Sequence, residues 1–101
     1  MNRTVPRIGR AETGPDEGHL VWSAIRRLRR QHDAAGALAL LDVHRHRFPK
    51  GALRIEAEVA RAEALVLLGR RTEAGQVLDG LPVATAQFAR RRLGLSNNSA
   101  R

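Results

Sequence analysis

A near-repeat at a fixed spacing constrains the fold of this chain more than any other feature of its sequence. Residues 32–41 (HDAAGALALL) and residues 69–78 (GRRTEAGQVL) begin thirty-seven positions apart, and both place alanine sixth and leucine tenth. Each segment follows a stretch of helical apolar periodicity and opens another. A repeat of this length, with two helices and one turn per unit, is typical of helical arrays in which no unit buries its apolar face alone.

The apolar periodicity predicts five helices, at about 16–31, 33–48, 52–68, 72–80 and 82–93. Thr13 and Asp16 form a predicted capping pair for the first helix, and Pro15 suits its first turn. Asp33 and Thr72 are predicted to cap the second and fourth helices.

The ends of the helices also follow from particular residues. Pro49 disfavours helical geometry at Phe48, and Gly69 is expected to end the third helix in the left-handed conformation. The fifth helix is predicted to cover the last repeat with its apolar residues, which are Val83, Ala86, Phe88 and Ala89.

Small residues are predicted at the closest helix contacts. They are Ala24, Ala37, Ala62 and Ala74, and they allow helix axes to approach to the short end of roughly 8–10 Å. Aromatic residues are few, and the apolar content is mostly alanine and leucine. This composition favours close helix packing over a sheet, so we expect an all-α protein.

The two units resemble the tetratricopeptide repeat (TPR) family. In that family a helical hairpin has a small residue in its first helix, glycine at the turn, alanine early in its second helix and proline at its exit. The matching residues are Ala62, Gly69, Ala74 and Leu78 in the second unit and Ala37, Leu41 and Pro49 in the first. Ile25 and His32 stand where a small residue and glycine are usual. Residues 48–51 are similar to the links of bacterial envelope and regulatory repeat proteins.

The resemblance implies antiparallel helical hairpins, stacked as a short right-handed solenoid with a C-terminal capping helix. It implies a non-catalytic interaction or scaffolding module that binds a peptide or partner helix in a groove, in a bacterial regulatory or envelope system. The first helix of each unit would line this groove. The residues expected there are His19, Trp22, Arg26, Arg29 and Arg30 of the first helix and Glu56, Val59, Glu63 and Val66 of the third.

Trp22 and the arginines that follow it form the strongest candidate for binding. An aromatic anchor beside forked cations is the usual composition of a binding hot spot for a carboxylate-bearing peptide. Tryptophan is also often largely buried, so a core position for Trp22, with solvated arginines around it, is the alternative interpretation.

The formal net charge of +8 supports a second hypothesis, a basic helical protein associated with nucleic acid or with transcriptional regulation. Arginines cluster within residues 26–30 and 90–92. In the third helix, Glu56, Glu58 and Glu63 would meet phosphates unfavourably, which disfavours a helix-turn-helix reader. Non-specific binding to nucleic acid at low salt is expected.

No residue pattern predicts catalysis, a cofactor or a metal site. The absence of cysteine excludes disulfides, thiolate zinc sites and a cysteine nucleophile. His44 and His46 are two residues apart on a helix and therefore point in different directions. With His32 they are predicted to be surface histidines and not metal ligands, because no acidic cluster completes a site.

The chain is predicted to contain one domain. Residues 1–14 are expected to form a flexible basic arm, residues 15–93 the helical domain and residues 94–101 a disordered polar tail. A core drawn from roughly 80 residues is of marginal stability, so we expect a homo-oligomer or a larger host assembly. No apolar run suits a signal peptide or a membrane span. The default location is the cytoplasm, or the periplasm if the chain is an excised segment.

Overall fold

A computed structural model describes residues 15–95, in which five helices and no strand are present. The helices are α1 (Pro15–Arg29), α2 (Ala34–Arg47), α3 (Arg54–Leu67), α4 (Arg71–Asp79) and α5 (Val83–Leu93). The predicted all-α class is confirmed. The predicted cap at Thr13, the basic arm and the tail from residue 96 onward lie outside the described residues.

The predicted N-terminal cap of α2 is confirmed, and that of α4 is not. The Asp33 carboxylate accepts a hydrogen bond from the Gly36 backbone N–H at 2.8 Å, and so caps α2 as predicted. In α4 the predicted cap at Thr72 is wrong, because the helix already begins at Arg71 and has no side-chain cap. The residue before it, Arg70, carries a guanidinium with no acceptor atom and cannot cap an N–H group.

Each turn of the near-repeat contains one residue with a positive φ. His32 has φ of +54° and Gly69 has φ of +81°, so both lie in the left-handed region. These residues are the first of each repeated segment. Equivalent positions of the two segments therefore share a positive φ, once with glycine and once with a side chain for which this region is unfavourable. The turns differ in length, because the Asp33 N–H donates to Arg27 O whereas the Arg70 N–H donates to Leu65 O.

The helices pack mainly on their neighbours along the chain. α1 packs on α2, α2 on α3, α3 on α4, and α5 makes smaller contacts with α4 and α3. α1 also touches α3. Asp16, at the start of α1, lies 3.5 Å from Arg47 at the end of α2, which shows that these two helices run antiparallel.

Two apolar cores meet in α3. The first joins α1, α2 and α3 through Val21, Ala24, Leu28, Ala37, Leu41, Ala57, Ala60 and Ala64. The second joins α3, α4, α5 and the turn between α4 and α5 through Ala62, Leu65, Ala74, Leu78, Leu81, Ala86 and Ala89. The four alanines predicted at the closest contacts are all fully buried. Alanine at these positions lets backbones approach closely, which is how such short helices exclude water.

α5 covers the second core with fewer residues than expected. Ala86 and Ala89 are buried as predicted, but Val83 is 71% exposed and Phe88 is 69% exposed. The prediction that Val83 and Phe88 cover the last repeat is therefore wrong. Phe88 follows Ala86 by two residues, which places it about 200° around the helix and away from the core.

Candidate functional site

An exposed tryptophan stands on α1 at the centre of the predicted binding face. The Trp22 side chain is 52% exposed, so the alternative of a core position is wrong. Arg26 and Arg29 follow it at helical spacing and share its side of α1. Arg26 and Arg30 have no ion-pair partner within residues 15–95. The face therefore presents an aromatic ring together with unpaired cations.

α3 supplies the neighbouring part of this face. Val59, Glu63 and Val66 are partly buried there, whereas Glu56 is exposed. The Glu63 carboxylate accepts a hydrogen bond from Arg29 Nη2 at 3.0 Å. This contact joins α1 to α3 directly and brings two of the predicted site residues together.

The same carboxylate oxygen also binds α5. Arg92 Nη2 donates to Glu63 Oε1 at 3.4 Å. Glu63 therefore links three helices through one atom, and its side chain remains only 15% exposed. Arg92 is not among the predicted site residues. The sequence contains the cluster of three arginines at the end of α5, but such a cluster does not indicate which carboxylate each arginine contacts.

The remaining predicted site residues make no direct contact with this centre. His19 and Glu56 are exposed and form no ion pair with any residue in the described range. His19 lies three residues before Trp22 on the same side of α1. His19 and Glu56 therefore lie at the edge of the face and form no ion pair across it among the described residues.

The structure also shows a buried polar pair that the sequence analysis missed. His44 Nε2 lies 2.9 Å from Glu17 Oε2, and each of the two side chains is 1% exposed. The prediction that His44 is a surface histidine is wrong. His44 lies one helical turn after Leu41 on the buried side of α2, whereas His32 and His46 are exposed as predicted.

Basic and acidic side chains of α2 and α3 are paired on the side of the fold that α4 also borders. Arg45 donates two hydrogen bonds to Glu58, which raise the pKa of Arg45 above its ordinary value. Arg61 Nη1 lies 2.8 Å from Asp42. Two clefts of about 320 and 440 Å³ open on this side and share Arg45 in their linings. Arg45, Arg61 and Arg70 in these linings have acidic partners, whereas Arg54 has none among residues 15–95. This side therefore offers a ligand one unpaired cation, against Arg26 and Arg30 on the α1 and α3 face.

The described residues contain no cluster of metal ligands and no membrane-spanning helix. Within residues 15–95 no three His, Cys, Asp or Glu side chains converge as a metal site. No described helix combines the length and the apolarity needed to cross a bilayer. No protein-family model, curated protein or solved structure matches this chain. Its function is therefore inferred from its own residues.

Proposed function

We propose that this chain is a non-catalytic interaction module that binds a peptide or a helix of another protein on the face formed by α1 and α3. The observation that carries the proposal is Trp22, which is 52% exposed in a folded chain with very few aromatic residues. Exposed tryptophan beside arginine is the composition most enriched at binding hot spots. Leaving such a ring in water forgoes the stabilisation that its burial would bring.

A stacked, TPR-like arrangement of the two units is part of this proposal. It is supported by the equivalence of Ala37 with Ala74 and of Leu41 with Leu78, all of which are buried. The positive φ shared by the equivalent residues His32 and Gly69 is consistent with it. In such a stack α1 and α3 would lie side by side, and the contact between Arg29 and Glu63 is consistent with that placement.

The proposal can be tested by selecting peptides from a random-sequence display library against the full chain. Trp22 is the one tryptophan of a chain without tyrosine, so its fluorescence reports on this face alone. We expect the selected peptides to shift the emission of Trp22 to the blue, because binding removes water from the ring. Trp22→Ala and Arg26→Ala should each weaken binding by about tenfold or more, the range of interface hot spots.

A matched control uses an arginine on another helix. Arg47 is an exposed residue of α2, and Arg47→Ala should leave the affinity of the selected peptides unchanged. Peptides that bind Trp22→Ala as tightly as the native chain would place the binding site elsewhere and reject the proposal.

The nucleic-acid hypothesis gives a different result in the same assay. Duplex DNA should then bind more tightly than any selected peptide, and its affinity should fall steeply with salt because counterions are released. Peptide binding that depends only weakly on salt and requires Trp22 supports the interaction module.

A further inference from the structure

We propose that the partner of this module is an acidic segment with two apolar side chains, and that Glu63 competes with its carboxylates for Arg29 and Arg92. One apolar side chain would pack on Trp22 of α1 and the other on Phe88 of α5. This inference rests on the proposed function and adds the chemistry of the partner.

Two of the aromatic rings are exposed. The chain has three aromatic residues, of which only Phe48 is buried. Trp22 is 52% exposed and Phe88 is 69% exposed. Rings that remain in water while alanines fill the cores are available to a partner.

Each exposed ring shares a side of its helix with an arginine that contacts Glu63. Phe88 lies one helical turn before Arg92, and Trp22 lies two turns before Arg29, so each ring shares a side of its helix with an arginine. The two arginines meet at the same oxygen of Glu63. The face around Glu63 therefore has an aromatic ring on each flanking helix.

The charge of the face favours an acidic partner. Within residues 15–95, Arg26, Arg30 and Arg91 have no ion-pair partner, while Arg29 and Arg92 share the one carboxylate of Glu63. This excess of cations attracts carboxylates. A continuous phosphate chain suits the face less well, because Glu63 stands between the two arginines and would repel it. The carboxylates of a peptide are separated from one another, so they can bind Arg29 and Arg92 without a continuous row of negative charge beside Glu63.

The experiment uses the full chain and synthetic helical peptides built from alanine, glutamate and two leucines. The peptides contain no tryptophan or tyrosine, and a fluorescent label reports their anisotropy on titration. One matched peptide has serine in place of both leucines, and another has lysine in place of glutamate. Single-stranded oligothymidylate, which stacks on aromatic side chains, provides the nucleic-acid arm.

Two substitutions are expected to change the affinity for the leucine and glutamate peptide in opposite directions. Phe88→Ala should weaken binding of the leucine and glutamate peptide about tenfold, because a hot-spot ring is lost. Glu63→Gln should tighten it by up to about fivefold, since the competing carboxylate is removed from both arginines. Glu58→Gln removes a carboxylate that binds Arg45 on the other side of the fold, and it should have no effect.

Several outcomes would overturn the inference. They are native affinity in Phe88→Ala, weaker binding in Glu63→Gln, equal binding of the lysine peptide, and tighter binding of oligothymidylate at physiological salt.

Sedimentation of the native chain and of Phe88→Ala tests a second copy as the occupant, and a dimer lost in the variant would also overturn the inference. If Trp22-dependent library peptides are neither acidic nor sensitive to Phe88→Ala, the proposed function stands and this inference fails. Circular dichroism of each variant controls for folding.

Discussion

Glu17 and His44 form a buried carboxylate–imidazole contact of 2.9 Å that joins the start of α1 to the end of α2. The same carboxylate oxygen accepts a hydrogen bond from the Leu53 backbone N–H, also at 2.9 Å. Glu17 therefore ties both helices of the first unit to the link that leads into α3. Buried polar groups of this kind are costly unless they are hydrogen-bonded, so each partner depends on the others.

Removing the imidazole should destabilise the fold strongly. His44→Ala leaves the Glu17 carboxylate buried with only the Leu53 N–H as a partner, and we expect a loss of about 3–5 kcal/mol in the free energy of unfolding. Urea titration followed by circular dichroism measures it. The control is His46→Ala two residues later, where the side chain is exposed and the change should stay within about 0.5 kcal/mol. Equal effects of the two variants would contradict the buried contact.

Gly51 should not tolerate even a methyl group. A Cβ at this position would lie 1.9 Å from Glu17 Oε2, so Gly51→Ala must displace the buried carboxylate. We expect a loss of about 1–3 kcal/mol, as for other overpacked sites. At Gly18 in α1 a Cβ meets only Trp22 Cδ1 at 3.9 Å, and Gly18→Ala should stabilise the helix by about 0.5–1 kcal/mol. Thermal melts of the two variants should therefore move in opposite directions.

The two left-handed turns make a reciprocal prediction. His32→Gly should stabilise the chain by about 1 kcal/mol, because φ of +54° is unfavourable for a residue with a Cβ. Gly69→Ala should destabilise it by a similar amount, since nothing lies within 4 Å of the added methyl group and only φ of +81° opposes it. Urea midpoints measure both changes. A destabilised His32→Gly variant would show that the histidine side chain contributes more than its backbone costs.

Acid should weaken the cap of α2. The hydrogen bond from the Gly36 backbone N–H, followed by the contact with Arg27, lowers the pKa of the Asp33 carboxyl. A carboxyl whose pKa is lowered on folding contributes stability above its unfolded pKa of about 3.9, and this contribution is lost as the pH falls through the folded value. The bond from Arg70 lowers the pKa of Glu73 in the same way.

The measurement is the urea midpoint followed from about pH 5 down to about pH 2. Asp33→Asn keeps an oxygen that can accept from Gly36 but does not titrate, so its midpoint should fall less than that of the native chain. Glu56→Gln removes an exposed carboxylate without an ion-pair partner among residues 15–95 and controls for the change in charge. An acid slope that Asp33→Asn leaves unaltered would contradict the assignment.

Much of the helical framework was predictable because it depends on local chemistry. Asp33 caps α2, Pro49 follows its end, and Gly69 turns the chain after α3, since each residue acts on the backbone beside it. The burial of Ala37 and Ala74 was predictable from their shared place in the near-repeat. The cap predicted at Thr72 is wrong because α4 begins one residue earlier, at Arg71. Helix ends are the least sharply defined part of a helix, by one or two residues.

The candidate site was predictable only in part. Helical spacing placed Trp22 and Arg26 on one side of α1, but a periodic pattern cannot tell whether a ring enters a core or remains in water. The contact of Arg92 with Glu63 joins residues from α5 and α3, and no local signal predicts which arginine of a cluster will reach a given carboxylate.

The sequence by itself determined that the chain is helical, the approximate extent of each helix, and which small residues permit close packing, because these properties arise within one or two helical turns. Only the tertiary structure decided that His44 is buried on Glu17, that Phe88 and Trp22 are exposed, and that Glu63 joins three helices. The physical reason is that burial and ion pairing depend on which surfaces meet in space, and residues distant in the chain supply those surfaces.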